Sequence, residues 1–414
     1  MIKKQVSIII AIVMLFSMQA LAKPVPPAKI ATQEWTQTVL PNTSGTYYGM
    51  AVFDMNGDGR QDMVTSKYDQ GIEVWLNTSM GWNRLETNLP EKEFYRQIVV
   101  CDINSDNKPD IVGIKDRGGI ELWTEISEGK WELSWSDLSS KDRYFDVKVV
   151  DLNSDGIKEI VAASSKGIKI WMCNKQQEWK SVAQGLPEYE YYSSIDAADL
   201  NLDGHMDLIA GSSHNSGLKV WFGDGQGHWT YAGSGLPTTD SYYGITVGDF
   251  NLDGKPDIAA ASNSNHGLRV WCGDGSGKWQ LSSVGLPDSG NYYSVICADF
   301  NGDNKLDIAA ANNSNEGLRV WLGDGCGSWQ MASIGLPKDG YYYRLSAADV
   351  DLDNRLDIAA ASSDGIKVCC GRQGKITLLG WTGRMGCYRW DRARAWNTGD
   401  CVGSLGIVIF HSII

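Results

Sequence analysis

Short apolar-polar alternations fill most of this chain, four to a stretch of about 50 residues, and the stretch repeats seven times. Near the middle the runs cover roughly 243–249, 257–262, 267–272 and 278–284. Leu268-Arg269-Val270-Trp271 has the period of two expected of a half-buried strand, and Gly, Asp, Asn and Pro mark the breaks. Gly-Asp-Gly-x-Gly at 273–277 and 323–327 supplies residues free to adopt positive φ in a tight hairpin. No stretch has a helical period of useful length. Four antiparallel strands per unit, seven units in a row, predict an all-β fold: a seven-bladed β-propeller of four-stranded antiparallel blades.

The tryptophans show how such a ring closes. Third runs carry Trp75, Trp123, Trp171, Trp221, Trp271 and Trp321, and fourth runs carry Trp82, Trp131, Trp179, Trp229, Trp279 and Trp329. These read as core between blades. The last unit lacks a fourth run, while Trp35 in Glu34-Trp35-Thr36-Gln37-Thr38 stands before the first unit with no blade of its own. The N-terminal strand is therefore expected to complete the blade built from 342–368, which removes the exposed sheet edges that invite aggregation. The propeller is bounded at 34–368. At 369 the pattern breaks, with Cys369 where a Trp is due, and 369–414 turns basic. This atypical tail is either an extra segment or a shifted reading frame.

Between the first and second runs of every unit lies an acidic nonapeptide, the first residues spaced by 48, 49, 48, 50, 50 and 50. Its side-chain oxygens at positions 1, 3, 5 and 9 are Asp54, Asn56, Asp58 and Asp62; Asp102, Asn104, Asp106 and Asp110; Asp151, Asn153, Asp155 and Glu159. The other four sets are Asp199, Asn201, Asp203 and Asp207; Asp249, Asn251, Asp253 and Asp257; Asp299, Asn301, Asp303 and Asp307; Asp349, Asp351, Asp353 and Asp357. These sets hold 22 of the 50 Asp and Glu in a chain of net charge -13. A hard cation takes six to eight oxygens, and a tight loop can bring four side chains and a main-chain carbonyl to one point. Calcium is favoured over magnesium, which keeps more water and needs stricter octahedral geometry. An EF-hand is excluded, because position 12 is never Glu and a strand follows. Up to seven Ca²⁺ are expected. Gly at position 6 permits the bend, and Asn107, Asn304 and Asn354 can replace it because Asn enters the left-handed region. Glu159, with one extra methylene, marks the loop expected to be weakest.

Seven such motifs in one register resemble the FG-GAP or VCBS repeats, also found in integrin α subunits, over about 34–368. The resemblance implies calcium loops that are mainly structural and lie away from the ligand face.

A Tyr stands seven residues before each first Asp, at 47, 95, 144, 192, 242, 292 and 342. It either packs between blades or opens onto the axis. Most have an aromatic neighbour, and the turns between second and third runs are polar. The candidate ligand-binding residues are Tyr48, Tyr243, Tyr293, Tyr343, Arg344, His214 and Asn265. Aromatic faces ringed by amides and hydroxyls suit sugar rings.

The remaining features bound the class. Lys3 and Lys4, an apolar run over 6–16 and the small residues Ala20 and Ala22 predict an export signal over 1–22, then a linker over 23–33. A secreted, periplasmic or cell-surface location is expected, without a transmembrane anchor. The nine cysteines lack repeat-wise spacing and read as small buried hydrophobes. The acidic balance excludes nucleic acid. No catalytic residues are assigned: no nucleophile elbow, His-Glu-x-x-His or phosphate loop occurs. The chain is expected to be a monomeric binding or adhesion module for glycans or an extracellular protein surface. The alternatives are a calcium-dependent, lyase-like polysaccharide enzyme using Arg96 or Arg344, and a purely structural surface protein.

Overall fold

A computed structural model describes residues 33–137, 142–174, 178–182, 185–312 and 314–373. The expected export signal, the linker up to residue 32 and the tail beyond 373 lie outside the described residues. Each of seven sheets has four antiparallel strands, in chain order from the innermost outward except in the closing blade. The innermost strands of blades 1 to 7 are Tyr47–Phe53, Tyr95–Cys101, Tyr144–Val150, Ser194–Ala198, Tyr242–Gly248, Tyr292–Ala298 and Tyr342–Ala348. Each contacts the next, and the last contacts the first, so the ring is closed.

The alternating pattern works because each sheet buries both faces against neighbouring blades. Leu268 and Val270 of blade 5 share one apolar cluster with Tyr292, Val295 and Trp321 of blade 6. The second strands Asp257–Ser262, Asp307–Asn312 and Asp357–Ser362 are buried along their whole length. Their Ile-Ala-Ala-Ala runs leave room for the larger side chains of adjoining strands.

The repeated Tyr is also core. Tyr144, Tyr192, Tyr242 and Tyr292 meet the third-strand Trp edge-on at centroid distances of 5.7, 5.8, 5.8 and 5.9 Å. Tyr47 and Tyr95 donate their hydroxyls to Glu73 and Glu121. Of the two uses foreseen for this position, packing is the one observed.

The leading strand Gln33–Val39 pairs antiparallel with Gly365–Gln373, with Trp35 opposite Gly371. Buried Trp35 donates its indole N–H to Ala332 O at 3.0 Å and its main-chain N–H to Ile334 O at 2.9 Å, both following blade 6. It also meets Phe300 edge-on at 5.7 Å. The chain end thus ties blade 7 to blade 6 as well as closing its own sheet. The third strand of this blade runs through Cys369 and Cys370 to Gln373, a few residues past the compositional break at Cys369.

The fourth strands of blades 3 to 6 are shorter than the pattern indicated, Trp279–Leu281 being typical. The chain turns away once Ser283 Oγ accepts the Val270 N–H at 2.9 Å. The seven described cysteines are free; Cys369 and Cys370 are buried, but Cys326 is exposed in a turn, so that one does not behave as a buried hydrophobe. Among the described residues no helix is long and apolar enough to cross a membrane.

Candidate functional site

The acidic nonapeptides join each innermost strand to the second strand, all at one end of the strands. Their side chains organise the turn backbone. In blade 5, Asp249 accepts the N–H of Asp253 and Gly254, Asn251 accepts that of Asp253, and Asp253 accepts that of Lys255. The same scheme recurs around the ring. Position 6 is left-handed as expected, with φ of 64°, 61° and 63° at Asn107, Asn304 and Asn354.

Position 4 is left-handed too; Gly57 and Gly302 signal it in two loops, with φ of 73° and 75°, but the leucines of three others do not. Leu202, Leu252 and Leu352 have φ of 60°, 59° and 61°. A branched apolar residue resists this conformation at a cost of about 1–2 kcal/mol, so the surrounding bonds must hold the loop bent.

Position 9 opens the second strand and is fully buried in all seven blades. Asp257 accepts the Phe250 N–H at 3.0 Å on one oxygen and the Gly273 N–H at 2.9 Å on the other. It staples the loop to the third strand while each oxygen keeps a second lone pair. Burial pushes Asp62, Asp110, Asp207, Asp257 and Asp357 up to about 6, and Asp307 to about 7. Glu159, also pushed by burial to about 7, accepts the Leu152 N–H at 2.7 Å, but its other oxygen has no partner. The extra methylene defeats the second half of the staple. Glu159→Asp is expected to restore it and to raise unfolding stability by about 1 kcal/mol, read as a shift in the urea midpoint with unchanged slope.

In the seventh loop, oxygens of Asp349, Asp351 and Asp353 lie within 4.8 Å of one another. Arg372 partly neutralises that loop, reaching Asp351 at 3.1 Å and Asp353 at 3.4 Å.

At the opposite end of the innermost strands, the residue six before each first Asp is Tyr48, Arg96, Phe145, Ser193, Tyr243, Tyr293 or Tyr343. These seven, with Arg344, line one pit on the axis. With a volume of about 30 Å³ the pit has room for a water, and the collar rings stand half-buried around its mouth.

The rings form two arcs. Tyr243–Tyr293, Tyr293–Tyr343 and Tyr343–Tyr48 have centroids 4.8, 6.3 and 4.4 Å apart, and the arc continues through Phe94 at 4.7 Å to Tyr68 at 5.0 Å. The second arc runs Phe145–Tyr191 at 4.7 Å and Tyr191–His214 at 3.7 Å. Burial raises the Tyr343 hydroxyl to about 12 and also raises Tyr293 and Tyr191, so all three stay protonated donors at neutral pH.

The structure thus gathers Tyr48, Tyr243, Tyr293 and Tyr343 in one arc and puts His214 at the end of the other. Arg344 lines the pit but is held by Asp146 at 3.2 Å. Below it, Asp196 holds Lys148 at 3.1 Å and keeps its ammonium above the usual range. Asn265 ties its turn to the loop entering blade 6, accepting the Gly290 N–H at 2.8 Å. Sequence reasoning missed Phe94, Tyr191 and Arg143. Phe94 and Tyr191 precede the repeated Tyr where the other rings follow it.

Matches to a family model described as FG-GAP-like repeat cover residues 54–113, 102–162, 151–210, 199–260, 249–310 and 299–360. No curated protein matches the chain. Among solved structures, that described as BBS1N in complex with ARL6DN, soaked with mercury, has a TM-score of 0.56 at 12% identity, covering 82% of this chain and 97% of that one. The structure of YCF48 bound to D1 peptide has a TM-score of 0.54 at 14% identity, covering 81% and 96%. At such identities the likeness is one of fold. The repeat matches run without a break from 54 to 360, and the chain belongs to the FG-GAP-like repeat family.

Proposed function

We propose that this propeller is an exported binding module, that calcium in the nonapeptide loops stabilises it, and that its axial collar takes glycan chains. The single observation carrying the binding reading is the collar. Five of the seven residues at one register position are aromatic, and they meet at the mouth of one axial pit. Sugar rings present C–H faces to stack and hydroxyls to accept from protonated Tyr. Contacts repeated around a ring also favour an extended chain over a small molecule that would need an enclosed pocket.

The test is a glycan array with the full chain in calcium, followed by titration of hits. Tyr343→Ala or Tyr293→Ala is expected to weaken binding at least tenfold with the thermal midpoint little changed. An array with no hit, or hits indifferent to both substitutions, would remove the glycan reading.

A protein surface is the second reading. Tyr231, Leu281 and Met331 hold equivalent places on the outer strands of blades 4 to 6, and with Val284 and Ile334 they expose an apolar stripe on the rim.

Support for calcium lies in the donor set. Positions 1, 3 and 5 are hard oxygens gathered on a backbone bent into strained left-handed geometry, as at Leu252, and the buried position 9 closes the loop. Residues 1, 3, 5 and 9 of each nonapeptide would hold the ion. Bound calcium would neutralise acids that repel one another. Export rests on the character of residues 1–22 and on extracellular calcium being adequate for sites of this kind.

A further inference from the structure

Resting on the collar reading, we propose that the ligand is a carboxylate-bearing glycan of the uronate class, gripped by Arg96 and Arg143. Arg96 is the one cation among the seven residues of the repeated collar position. It fills the gap between the two aromatic arcs, its guanidinium 5.8 Å from the Phe94 ring centroid. Arg143, on the loop entering blade 3, reaches the same gap from the other side, 5.6 Å from Phe145.

Both guanidiniums converge on Asp116. Arg96 bonds its Oδ1 directly, Arg143 lies 3.7 Å from the same oxygen, and Arg117 lies 3.6 Å from Oδ2. One carboxylate serves three guanidiniums, so positive charge remains. Neighbouring charges do not cancel it. Asp142 faces both Lys166, at 2.6 Å, and Lys169, at 3.9 Å, while Lys115 faces Glu93 and Glu121. With Asp69 and Lys92, which line a groove with Asp116 and Arg117, these described residues are seven cations against five acids, in a chain of net charge -13.

The contrast with Arg344 is informative. That guanidinium is sunk in the pit and matched one to one by buried Asp146. Arg143 and Arg117 are exposed, with 56% and 93% of their side chains accessible. An Arg fork offers paired N–H donors that fit a carboxylate, and ring stacking presets its plane. A sugar stacked on the Tyr48–Tyr343–Tyr293 arc could therefore present a carboxylate to the Arg96–Arg143 end.

The test is calorimetric titration of the full chain, in calcium, with a β-1,4-linked glucuronate hexamer and the matching glucose hexamer. The glucuronate hexamer should bind at least tenfold more tightly, and raised salt should shrink that margin. Arg96→Gln with Arg143→Gln should bring glucuronate down to the glucose level and abolish the salt dependence. Arg117→Glu, too exposed to threaten folding, should weaken glucuronate alone. Tyr343→Ala should weaken both. Equal, salt-insensitive affinities for the two hexamers would overturn the charge inference while the collar reading stands. Failure of both hexamers to bind would remove the collar reading and this inference with it.

Discussion

Removing the leading strand, residues 33–40, is expected to leave a protein that no longer melts as one cooperative unit and that self-associates. Trp35 alone contributes a buried indole, two hydrogen bonds to the segment after blade 6 and an edge-on contact with Phe300. Trp35→Ala should cost about 3–5 kcal/mol, the usual range for a buried Trp. The full deletion loses in addition the pairing from Gln33–Gln373 to Val39–Lys367. It also bares the edge of Gly365–Gln373, a template for pairing with other copies. Light scattering and calorimetry would read both effects. A peptide spanning 33–41, added in trans, should restore the melt. Unchanged cooperativity in the truncated protein would mean that the ring does not depend on this strand.

Chelation should also have a large effect. At about 1 mM free calcium and a Kd near 10⁻⁴ M, each loop would add about 1.4 kcal/mol, or about 10 kcal/mol over seven loops. The pH dependence carries a sign. Burial raises the position-9 carboxyls to about 6 or 7 in the folded metal-free chain, above their ordinary carboxylate values. Their contribution is therefore fully present below about pH 4 and is lost as pH rises through 6 to 7. The chelated protein should thus melt higher at pH 5 than at pH 7.5. Calcium, which favours the ionised acids, should reverse the order. A melt unaffected by chelator at both pH values would remove the calcium proposal.

How much could be read in advance depended on the kind of signal. The blades and their closure were legible because a period near 50 repeats the same Trp positions, and Trp35 was the surplus copy that pointed to the last sheet. Asn at position 6 was legible because Asn is a known left-handed residue. Leu252 at position 4 was not, since Leu carries no turn signature and its conformation comes from the carboxylates around it. The half-lost staple at Glu159 needed coordinates, because a methylene shows in sequence but an orphaned oxygen does not. The collar was half legible. Tyr243, Tyr293 and Tyr343 recur in register, but Tyr191 and Phe94 stand two places earlier than the matching rings. Arg143 joins Arg96 only through Asp116, which lies in a turn between second and third strands. That contact occurs once around the ring and has no period to betray it.

Hydrogen exchange with and without the tightest glycan from the array would test the central claim most directly, because it reports where the ligand sits. Protection should rise at 47–50, 94–97, 143–146, 242–245, 292–295 and 342–345, the collar segments, and stay unchanged in the nonapeptide loops. Protection confined to the outer strands at 229–234, 279–284 and 329–334, or to the nonapeptides, would place the ligand elsewhere and contradict the account.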